Sequence, residues 1–267
     1  MKSTYKSVLT IAGSDSGGGA GIQADIKSIS ACGAYAASVI TATTAQNTVG
    51  VSDIHAIPIA HLEMQLEAVL SDIEFGAIKI GMLHSCEVIK TVFETLERYG
   101  LRNIVLDPVM VATSGDQLIT NEAIACLKNY LPKASLITPN IQEAALLIGH
   151  DIDQQNFEAT AIEIGQQYHT SVLLKGGHLE TETASMVDML FEYDSKVVHK
   201  IIHPRIDTLN THGTGCSLSS GIATFLALGD SMEQAVRKAC RFVNESIAAG
   251  KDKILGKGNG PINHFRL

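Results

Sequence analysis

The chain of 267 residues is 45% hydrophobic and 18% charged, a globular composition with ample material for a core. Its 28 acidic and 20 basic residues leave a net charge of −8. This argues against nucleic acids or anionic membranes as partners, because both need a basic face. No run reaches the roughly 20 apolar residues of a membrane span, and the apolar run near the N-terminus is too short for a signal peptide.

Apolar runs that are typical of buried strands alternate with amphipathic helical patterns along the whole chain. Strands are predicted at 8–13, 37–45, 77–83, 103–110, 135–139 and 171–177. One helix is predicted to start at Pro58, and Ser85 is predicted to cap another that closes on Gly100. Residues 186–202 predict a β-hairpin that turns at Asp194 and Ser195, and two helices follow at about 214–228 and 231–249.

Continuous apolar strands separated by helices predict an α/β fold with one doubly wound, mostly parallel sheet and helices on both faces. No linker, repeat or low-complexity tract interrupts the pattern, so we expect a single domain over residues 1–267. In such sheets the ligand lies at the carboxyl ends of the strands. Glycine and polar residues do follow several of the predicted strands, which indicates a site at that edge.

The five cysteines are scattered and form no C-x-x-C pair, a pattern that is typical of free thiols in a reducing compartment. We therefore expect a cytoplasmic protein. Four of the cysteines lie in apolar helical patterns and are predicted to be buried filler: Cys32, Cys86, Cys126 and Cys240.

The first glycine-rich loop contains GAGIQA at 19–24, which fits the dinucleotide pattern G-x-G-x-x-A between a strand and a helix. A dinucleotide site also needs an acidic residue about 20 positions further on, and the chain has none before Asp53. No Walker A sequence is present either. A nucleotide bound by this chain is therefore held without either common phosphate loop.

Three later segments carry candidate polar groups. Asn140 and Glu143 lie three apart at a helix start, where they could hold Mg²⁺ through water; the alternative is a capped helix with a solvated glutamate. Lys175 ends a strand before two glycines, and the alternative is an ordinary turn. Asp107 lies late in an apolar strand, where burial is costly unless the carboxylate is paired or near a metal.

Residues 210–228 begin with a glycine-broken turn and continue into an apolar helix. Gly213 and Gly215 allow a tight backbone, and the first amides of the helix have no partner within it. Such a turn suits an anion, phosphate above all. Cys216 lies in this turn, and the residue pattern leaves open whether it is a nucleophile, a proton acceptor or filler.

The order of these segments resembles the ribokinase superfamily and, more narrowly, the hydroxymethylpyrimidine/phosphomethylpyrimidine kinase family of thiamine biosynthesis. The resemblance covers about residues 7–265. The segments that carry it are the first glycine loop, DPVM at 107–110, TPNIQEA at 138–144, KGGH at 175–178, NTHGTGC at 210–216 and GKGNGPINHF at 256–265.

The resemblance implies a ribokinase-like sheet with a small β lid, commonly in a homodimer. It implies a kinase that uses ATP and Mg²⁺ to phosphorylate 4-amino-5-hydroxymethyl-2-methylpyrimidine and then its monophosphate. The pyrimidine pocket would be lined by Gly13, Asp25, Gln46, Met82 and Val109. The nucleotide would contact Asn140, Lys175 and Thr211. The metal would be near Asp107 and Glu143, and the anion hole would comprise Gly213, Thr214, Gly215 and Cys216.

Two features support or qualify what the resemblance implies. Gln46 offers both a donor and an acceptor to a pyrimidine edge, and Met82 suits the face of a flat ring. Relatives in the wider superfamily place an aspartate at the position of Cys216. A helix N-terminus favours thiolate, so Cys216 could act as the base, or positioning by the amides could suffice. His178 and His212 adjoin the site, and the sequence assigns neither a catalytic role.

Two other functions are compatible with the same residues. Related kinases accept pyridoxal, and Gln46 is the feature that favours a pyrimidine. A non-catalytic sensor could bind the pyrimidine without turnover, and the intact Asp107, Glu143 and glycine turn argue against that.

Overall fold

The computed structural model describes residues 4–110, 119–177 and 185–266. The strands in these residues are β1 Ser7–Asp15, β2 Tyr35–Gln46, β3 Val51–Ala56, β4 Ala77–Ile80, β5 Ile104–Leu106, β6 Leu136–Ile137, β7 Ser171–Leu174, β8 Ser185–Glu192 and β9 Val197–Pro204. The helices are α1 Gly21–Ala31, α2 Ile59–Leu70, α3 Cys86–Arg98, α4 Asn121–Lys128, α5 Ile141–Ile148, α6 Phe157–Tyr168, α7 Thr214–Ala227 and α8 Met232–Gly250.

The described strands form one sheet in the order β3-β2-β1-β4-β5-β6-β7-β8-β9. The six neighbouring strands β2, β1, β4, β5, β6 and β7 run parallel to one another. Strand β3 is antiparallel at one edge of the sheet, and the β8–β9 hairpin is antiparallel at the other. The pairing of β3 with the end of β2 forms a small antiparallel extension at one edge, and the β lid stays a prediction. The predicted doubly wound, mostly parallel sheet is confirmed.

Apolar side chains cover both faces of the sheet because successive residues of a strand point to opposite sides. In β1, Leu9 packs into the cluster formed with α2 to α6, whereas Val8 packs into the cluster formed with α1, α7 and α8. Both side chains are fully buried. Burial on both faces explains why the central strands have continuous apolar sequences.

Local signals position several of the helices as predicted. The Ser85 hydroxyl accepts a hydrogen bond from the Val88 amide and caps α3, and Pro58 immediately precedes α2. The hairpin turn between β8 and β9 contains Asp194 and Ser195, so that prediction is confirmed.

The sequence missed one strand and overestimated the length of four others. Strand β3 was missed because its residues are mostly exposed and lack an apolar run. The predicted strands at 77–83, 103–110, 135–139 and 171–177 continued past the observed ends at Ile80, Leu106, Ile137 and Leu174. The residues just after these strands are mostly buried although they leave the ladder, so sequence alone overestimates the length of the strands.

The prediction that all cysteines are free thiols is wrong for two of them. Cys86 and Cys126 form a disulfide with a Cα–Cα distance of 5.5 Å. Cys86 begins α3 and Cys126 lies in the neighbouring α4, so helix packing brings together two residues whose separation of 40 carries no sequence signal. Cys32 and Cys216 are half-buried and Cys240 is buried, all as free thiols. None of the described helices combines the length and apolar character that crossing a bilayer requires.

Candidate active site

The parallel ladders align four strand ends at the carboxyl edge of the sheet. The Gly81 amide donates to the Ile11 carbonyl, and the Asp107 amide donates to the Ile80 carbonyl, both at 2.9 Å. The next amides along the edge continue the pattern: Thr138 donates to Leu106 and Lys175 donates to Pro139, both at 3.0 Å. The loops after β4, β5, β6 and β7 therefore start side by side.

A buried ion pair lies at the centre of this edge. The Lys175 ammonium is 3.2 Å from Oδ1 of Asp107, and the Thr138 hydroxyl donates to the same oxygen at 3.0 Å. Burial alone would raise the pKa of Asp107, but Lys175 and Lys79 lower it below its usual value. Burial alone would lower the pKa of Lys175, but Asp107 and Glu143 raise it. Both groups are therefore charged, as pairing of a buried acid requires.

Asn140 and Glu143 form a capping box at the start of α5. The Asn140 side chain accepts from the Glu143 amide at 2.9 Å, and the Glu143 carboxylate accepts from the Asn140 amide at 2.8 Å. The predicted alternative of a solvated glutamate is wrong, because Glu143 is only 3% exposed. Burial raises its pKa to about 7; Lys175 opposes this shift and Asp107 adds to it. The backbones of Asn140 and Lys175 form an isolated parallel β-bridge.

The glycine turn before α7 faces this ion pair. Gly213 caps the helix with a φ of 84°, and no side chain caps the first turn of α7. A Cβ at Gly213 would collide with the Gly19 carbonyl. A Cβ at Gly215 would lie 3.5 Å from both Oδ2 of Asp107 and Nζ of Lys175. Backbone amides without helical partners thus lie beside a buried ion pair, which suits a phosphoryl group.

Cys216 lies in the first turn of α7, where its burial disfavours the thiolate that the helix N-terminus would favour. Burial raises the pKa of the Cys216 thiol to about 11; the charge of Lys79 opposes this shift, and Asp25 and Asp107 add to it. Loss of hydration outweighs the favourable helix N-terminus, and the thiol is protonated at neutral pH.

Asp25 lies below the site rather than on its open surface. Its carboxylate is fully buried and 2.8 Å from the Lys79 ammonium, and it accepts hydrogen bonds from the hydroxyls of Thr10 at 2.5 Å and Ser220 at 2.7 Å. Both carboxylate oxygens of Asp25 are thus engaged by protein side chains, and its contact with the pyrimidine stays a prediction. A Cβ at Gly81 would lie 2.9 Å from the Lys79 ammonium. The buried Asp25–Lys79 pair therefore lies directly against the first residue after β4.

The first glycine loop holds a carboxylate of its own chain. Asp15 accepts from the amides of Gly17 at 2.8 Å, Gly19 at 3.0 Å and Ala20 at 2.8 Å. Its Oδ2 is also 2.9 Å from Nε2 of His212. The amides that a dinucleotide phosphate would require are already occupied, which gives a structural reason against that interpretation.

Residues predicted to line the pyrimidine pocket lie on either side of this loop. A Cβ at Gly13 would be 2.8 Å from Cε of Met82, so these two residues adjoin each other. Gln46 ends β2, and its backbone exchanges two hydrogen bonds with the Ser16 hydroxyl, at 2.7 and 2.8 Å. Val109 is half-buried two residues after Asp107.

The C-terminal segment braces the turn before α7. The Thr214 amide donates to the Thr211 carbonyl at 3.2 Å, and the His212 amide donates to the Gly260 carbonyl at 3.1 Å. The Ser217 hydroxyl donates to the Gly213 carbonyl at 2.8 Å and pairs with His264. His178 lies outside the described residues, as do residues 111–118.

The side chains fit a magnesium ion that arrives with a nucleotide. The described part of the chain contains no cluster of three or more His, Cys, Asp or Glu side chains that could hold a metal. Asp107 is close enough to Glu143 to raise the pKa of Glu143, so the two residues offer a pair of carboxylates near the glycine turn. Mg²⁺ commonly uses one or two carboxylates, keeps several waters and takes its other ligands from phosphates.

The doubly wound sheet, with a glycine turn beside a buried ion pair at its carboxyl edge, is the arrangement expected of a ribokinase-like fold. A sequence profile of the phosphomethylpyrimidine kinase family matches residues 15–263. The chain therefore belongs to the phosphomethylpyrimidine kinase family, as the sequence analysis predicted.

Full-length relatives support this membership. The chain is 46% identical over 260 residues to the hydroxymethylpyrimidine/phosphomethylpyrimidine kinase of Rhizobium meliloti and covers 96% of both sequences. It is 48% identical over 261 residues to the thiamine biosynthesis bifunctional protein ThiED of Geobacter sulfurreducens, covering 97% of this chain. The chain spans about half, 52%, of that longer relative.

Solved structures agree with the fold. The phosphomethylpyrimidine kinase of Clostridium difficile 630 superposes with a TM-score of 0.80 at 41% identity, covering 91% of this chain and 99% of that one. The pyridoxal kinase from Staphylococcus aureus in complex with ADP superposes with a TM-score of 0.89 at 31% identity, covering 99% of this chain and 95% of that one.

Sequence reasoning missed three residues that organise the site. Asp15 and His212 were not predicted to pair, because they are 197 positions apart and neither belongs to a metal or catalytic motif. Lys79 gave a weak signal that could have been used: it is a lysine in the middle of an apolar strand, and such a lysine needs a buried acid as its partner.

Proposed function

We propose that this chain transfers the γ-phosphoryl group of ATP to the hydroxymethyl group of 4-amino-5-hydroxymethyl-2-methylpyrimidine and then phosphorylates the monophosphate, for thiamine biosynthesis. The observation that carries the proposal is the charged Asp107–Lys175 pair beside Gly215, at a helix start that no side chain caps. Relatives that this chain matches over nearly their full length carry the name of both phosphorylations.

On the nucleotide side, Lys175 would neutralise phosphate charge, and Asn140 and Thr211 would contact the nucleotide from the loops that flank it. Asp107 and Glu143 would hold Mg²⁺ through oxygen atoms and water. The ion would neutralise charge on the phosphates. Lys175 is 17% exposed in its side chain, which leaves its ammonium partly accessible to a ligand while Asp107 fixes its direction.

On the substrate side, Gln46 would offer its amide to the polar edge of the pyrimidine, and Met82 would pack against the ring. Gly13 leaves room for Met82, since a side chain there would overlap its methyl group. Val109 would provide a further apolar contact. Asp25 would act indirectly, through its buried contacts with Lys79 and with Ser220 of α7, rather than by touching the ring.

At the reaction centre, the hydroxyl oxygen of the substrate attacks the γ-phosphorus while the bond to the bridging β–γ oxygen breaks. The amides of Gly213, Gly215 and Cys216 would stabilise the charge on the transferred group, and Thr214, whose amide donates to the Thr211 carbonyl, would hold the turn in shape. Since the Cys216 thiol is protonated at neutral pH, the substrate proton passes to a phosphoryl oxygen or to water. Positioning and charge stabilisation are sufficient for phosphoryl transfer, whose transition state is loose.

A pyridoxal kinase activity is the second candidate, and a specific observation favours it. The pyridoxal kinase of Staphylococcus aureus in complex with AMP-PCP and pyridoxal superposes with a TM-score of 0.87 at 30% identity, covering 99% of this chain and 95% of that one. Because this chain shares a higher identity with the pyrimidine kinases, the proposal takes the pyrimidine as the preferred substrate.

One experiment separates these functions. ATP consumption is measured with hydroxymethylpyrimidine, its monophosphate and pyridoxal as substrates, each over the same concentration range. The proposal expects the highest kcat/KM with the two pyrimidines. A preference for pyridoxal would overturn it, and pyrimidine binding without ATP consumption would instead identify a sensor. Cytosolic location and homodimeric assembly also belong to the proposal, and size-exclusion chromatography with light scattering tests the latter.

A further inference from the structure

The hydrogen-bond ladder between β7 and β8 stops one step before the site. The last backbone pair joins Leu174 to Met189. Beyond it, the Gly176 amide donates to a side chain, Oδ1 of Asp188 in β8, at 2.8 Å. A Cβ at Gly176 would collide with the Val187 carbonyl, so the glycine lets the chain pass close to β8 at this point. Asp188 thus replaces the backbone acceptor that the ladder no longer supplies.

The second oxygen of Asp188 is also engaged. Nε2 of His203 lies 3.0 Å from Oδ2 of Asp188. His203 is in β9, two residues beyond Ile201, the direct partner of Asp188, and diagonal neighbours at this spacing reach each other. Burial alone would lower the pKa of His203, but the hydrogen bond and the charge of Asp188 raise it. Asp188 is only 4% exposed, so its carboxylate is held by partners on both sides.

The hydrogen bond from Gly176 to Asp188 also fixes the backbone of Lys175, the residue before it. The Lys175 amide donates to the Pro139 carbonyl of the preceding strand end, and the next amide donates to Asp188. Two consecutive amides are therefore anchored to the two neighbours of β7. The side chain between them extends to Asp107 and passes beside Gly215. The direction of the Lys175 side chain follows from where these two amides are held.

We propose that Asp188 is a positioning residue for phosphoryl transfer: by accepting the Gly176 amide it holds Lys175 in the orientation that binds the nucleotide phosphates. The β8–β9 hairpin would contribute to the site through this one carboxylate. The inference rests on the proposed function, because it assumes that Lys175 contacts the nucleotide.

A double-mutant cycle tests the proposal with the full chain. The dissociation constant of AMP-PCP with Mg²⁺ is measured calorimetrically for the parent, Asp188→Ala, Lys175→Ala and the double variant. Asp188→Ala is expected to weaken nucleotide binding about tenfold, the usual cost of losing a hydrogen bond to a charged group. In the Lys175→Ala background the same change should have little effect, because the residue through which Asp188 acts is gone. Equal effects in both backgrounds would overturn the proposal.

Further variants separate positioning from general damage to the fold. Asp188→Asn keeps an oxygen for the Gly176 amide and should bind AMP-PCP within about threefold of the parent. Asp188→Leu fills a similar volume in β8 without an acceptor and carries the test if Asp188→Ala does not fold. Asp194→Ala, in the exposed turn of the same hairpin, is the matched control and should leave nucleotide binding unchanged. An Asp188→Asn loss as large as that of Asp188→Leu would overturn the role of the acceptor.

The affinity for hydroxymethylpyrimidine is the second readout. It should stay at the parental value in Asp188→Ala and Asp188→Leu, since Asp188 acts on the nucleotide side. An equal loss of pyrimidine and nucleotide affinity would show a merely structural role and overturn the proposal. Failure of the proposed function itself is distinguishable, because the parent protein would then show no pyrimidine-dependent consumption of ATP.

Discussion

The Ser217 hydroxyl lies 2.9 Å from Nε2 of His264, so the C-terminal segment touches the first turn of α7. The same hydroxyl donates its proton to the Gly213 carbonyl, so Nε2 of His264 must be the donor to Ser217. Both residues are buried. Burial lowers the pKa of His264 to about 4, and the nearby charge of Lys27 adds to the effect. The imidazole is therefore neutral in the folded protein at neutral pH.

This contact predicts how stability depends on pH. The pKa of His264 is about 4 in the folded state and near 6.5 when unfolded, so the unfolded chain binds the extra proton between these values. The free energy of unfolding should fall as pH drops from about 6.5 to about 4, by up to about 3 kcal/mol from this residue. Urea unfolding at pH 7 and pH 5 measures the loss.

His264→Gln can still donate to Ser217 but does not titrate, so its loss of stability over the same pH range should be smaller. His61→Gln, at an exposed position of α2, should behave like the parent. Parallel losses in the parent and His264→Gln would show that other groups control the acid transition.

A branched side chain at Gly215 should nearly abolish turnover. Atoms beyond the Cβ of Gly215→Val would enter the space beside Asp107 and Lys175 and displace the phosphoryl group from the α7 amides. Loss of such donors costs about 10²–10³-fold in kcat. Gly215→Ala is the matched control, because its Cβ would make ordinary contacts and should cost much less. Steady-state kinetics with saturating ATP measure both, and a near-normal kcat for folded Gly215→Val would sink the anion-hole assignment.

Glu143→Gln should raise the Mg²⁺ concentration that gives half-maximal rate. Glutamine can still accept from the Asn140 amide, so the capping box is retained while the charge is removed. Glu158→Gln, an exposed acid in the first turn of α6, serves as the control and should leave the Mg²⁺ dependence unchanged. If Glu143→Gln titrates with Mg²⁺ like the parent, Glu143 only caps α5.

Cys216→Ser should keep kcat within severalfold of the parent and leave its pH profile unchanged between pH 6 and 9. With a thiol pKa of about 11, little thiolate is present in that range. A thiolate base would instead make the change cost about 10²–10⁴-fold. Such a loss in Cys216→Ser, with activity recovered in Cys216→Asp, would reinstate Cys216 as the proton acceptor.

The elements of the fold were predictable because both faces of the sheet are covered. Strands buried on two sides show continuous apolar runs, and capping residues such as Ser85 mark helix starts. Strand β3 lacks that signal because its side chains are mostly exposed.

The site was predictable in its outline and not in its electrostatics. Motif order brought Asp107, Glu143 and Lys175 together in the prediction, and the structure does place them side by side. The protonation of Cys216 could not be predicted, because burial and the helix N-terminus act in opposite directions and only packing decides which effect is larger. The Cys86–Cys126 disulfide likewise depends on how two helices pack.

The carboxylate of Asp15 fills the first glycine loop in the way a bound anion would. This counter-charge is covalently part of the chain, so the loop keeps its shape whatever the concentration of phosphate or nucleotide around it. Free anions meet these three amides already engaged, so in the described residues the uncapped turn at the start of α7 remains as the proposed phosphate cradle. The first glycine loop therefore does not compete with the turn before α7 for the same phosphate group.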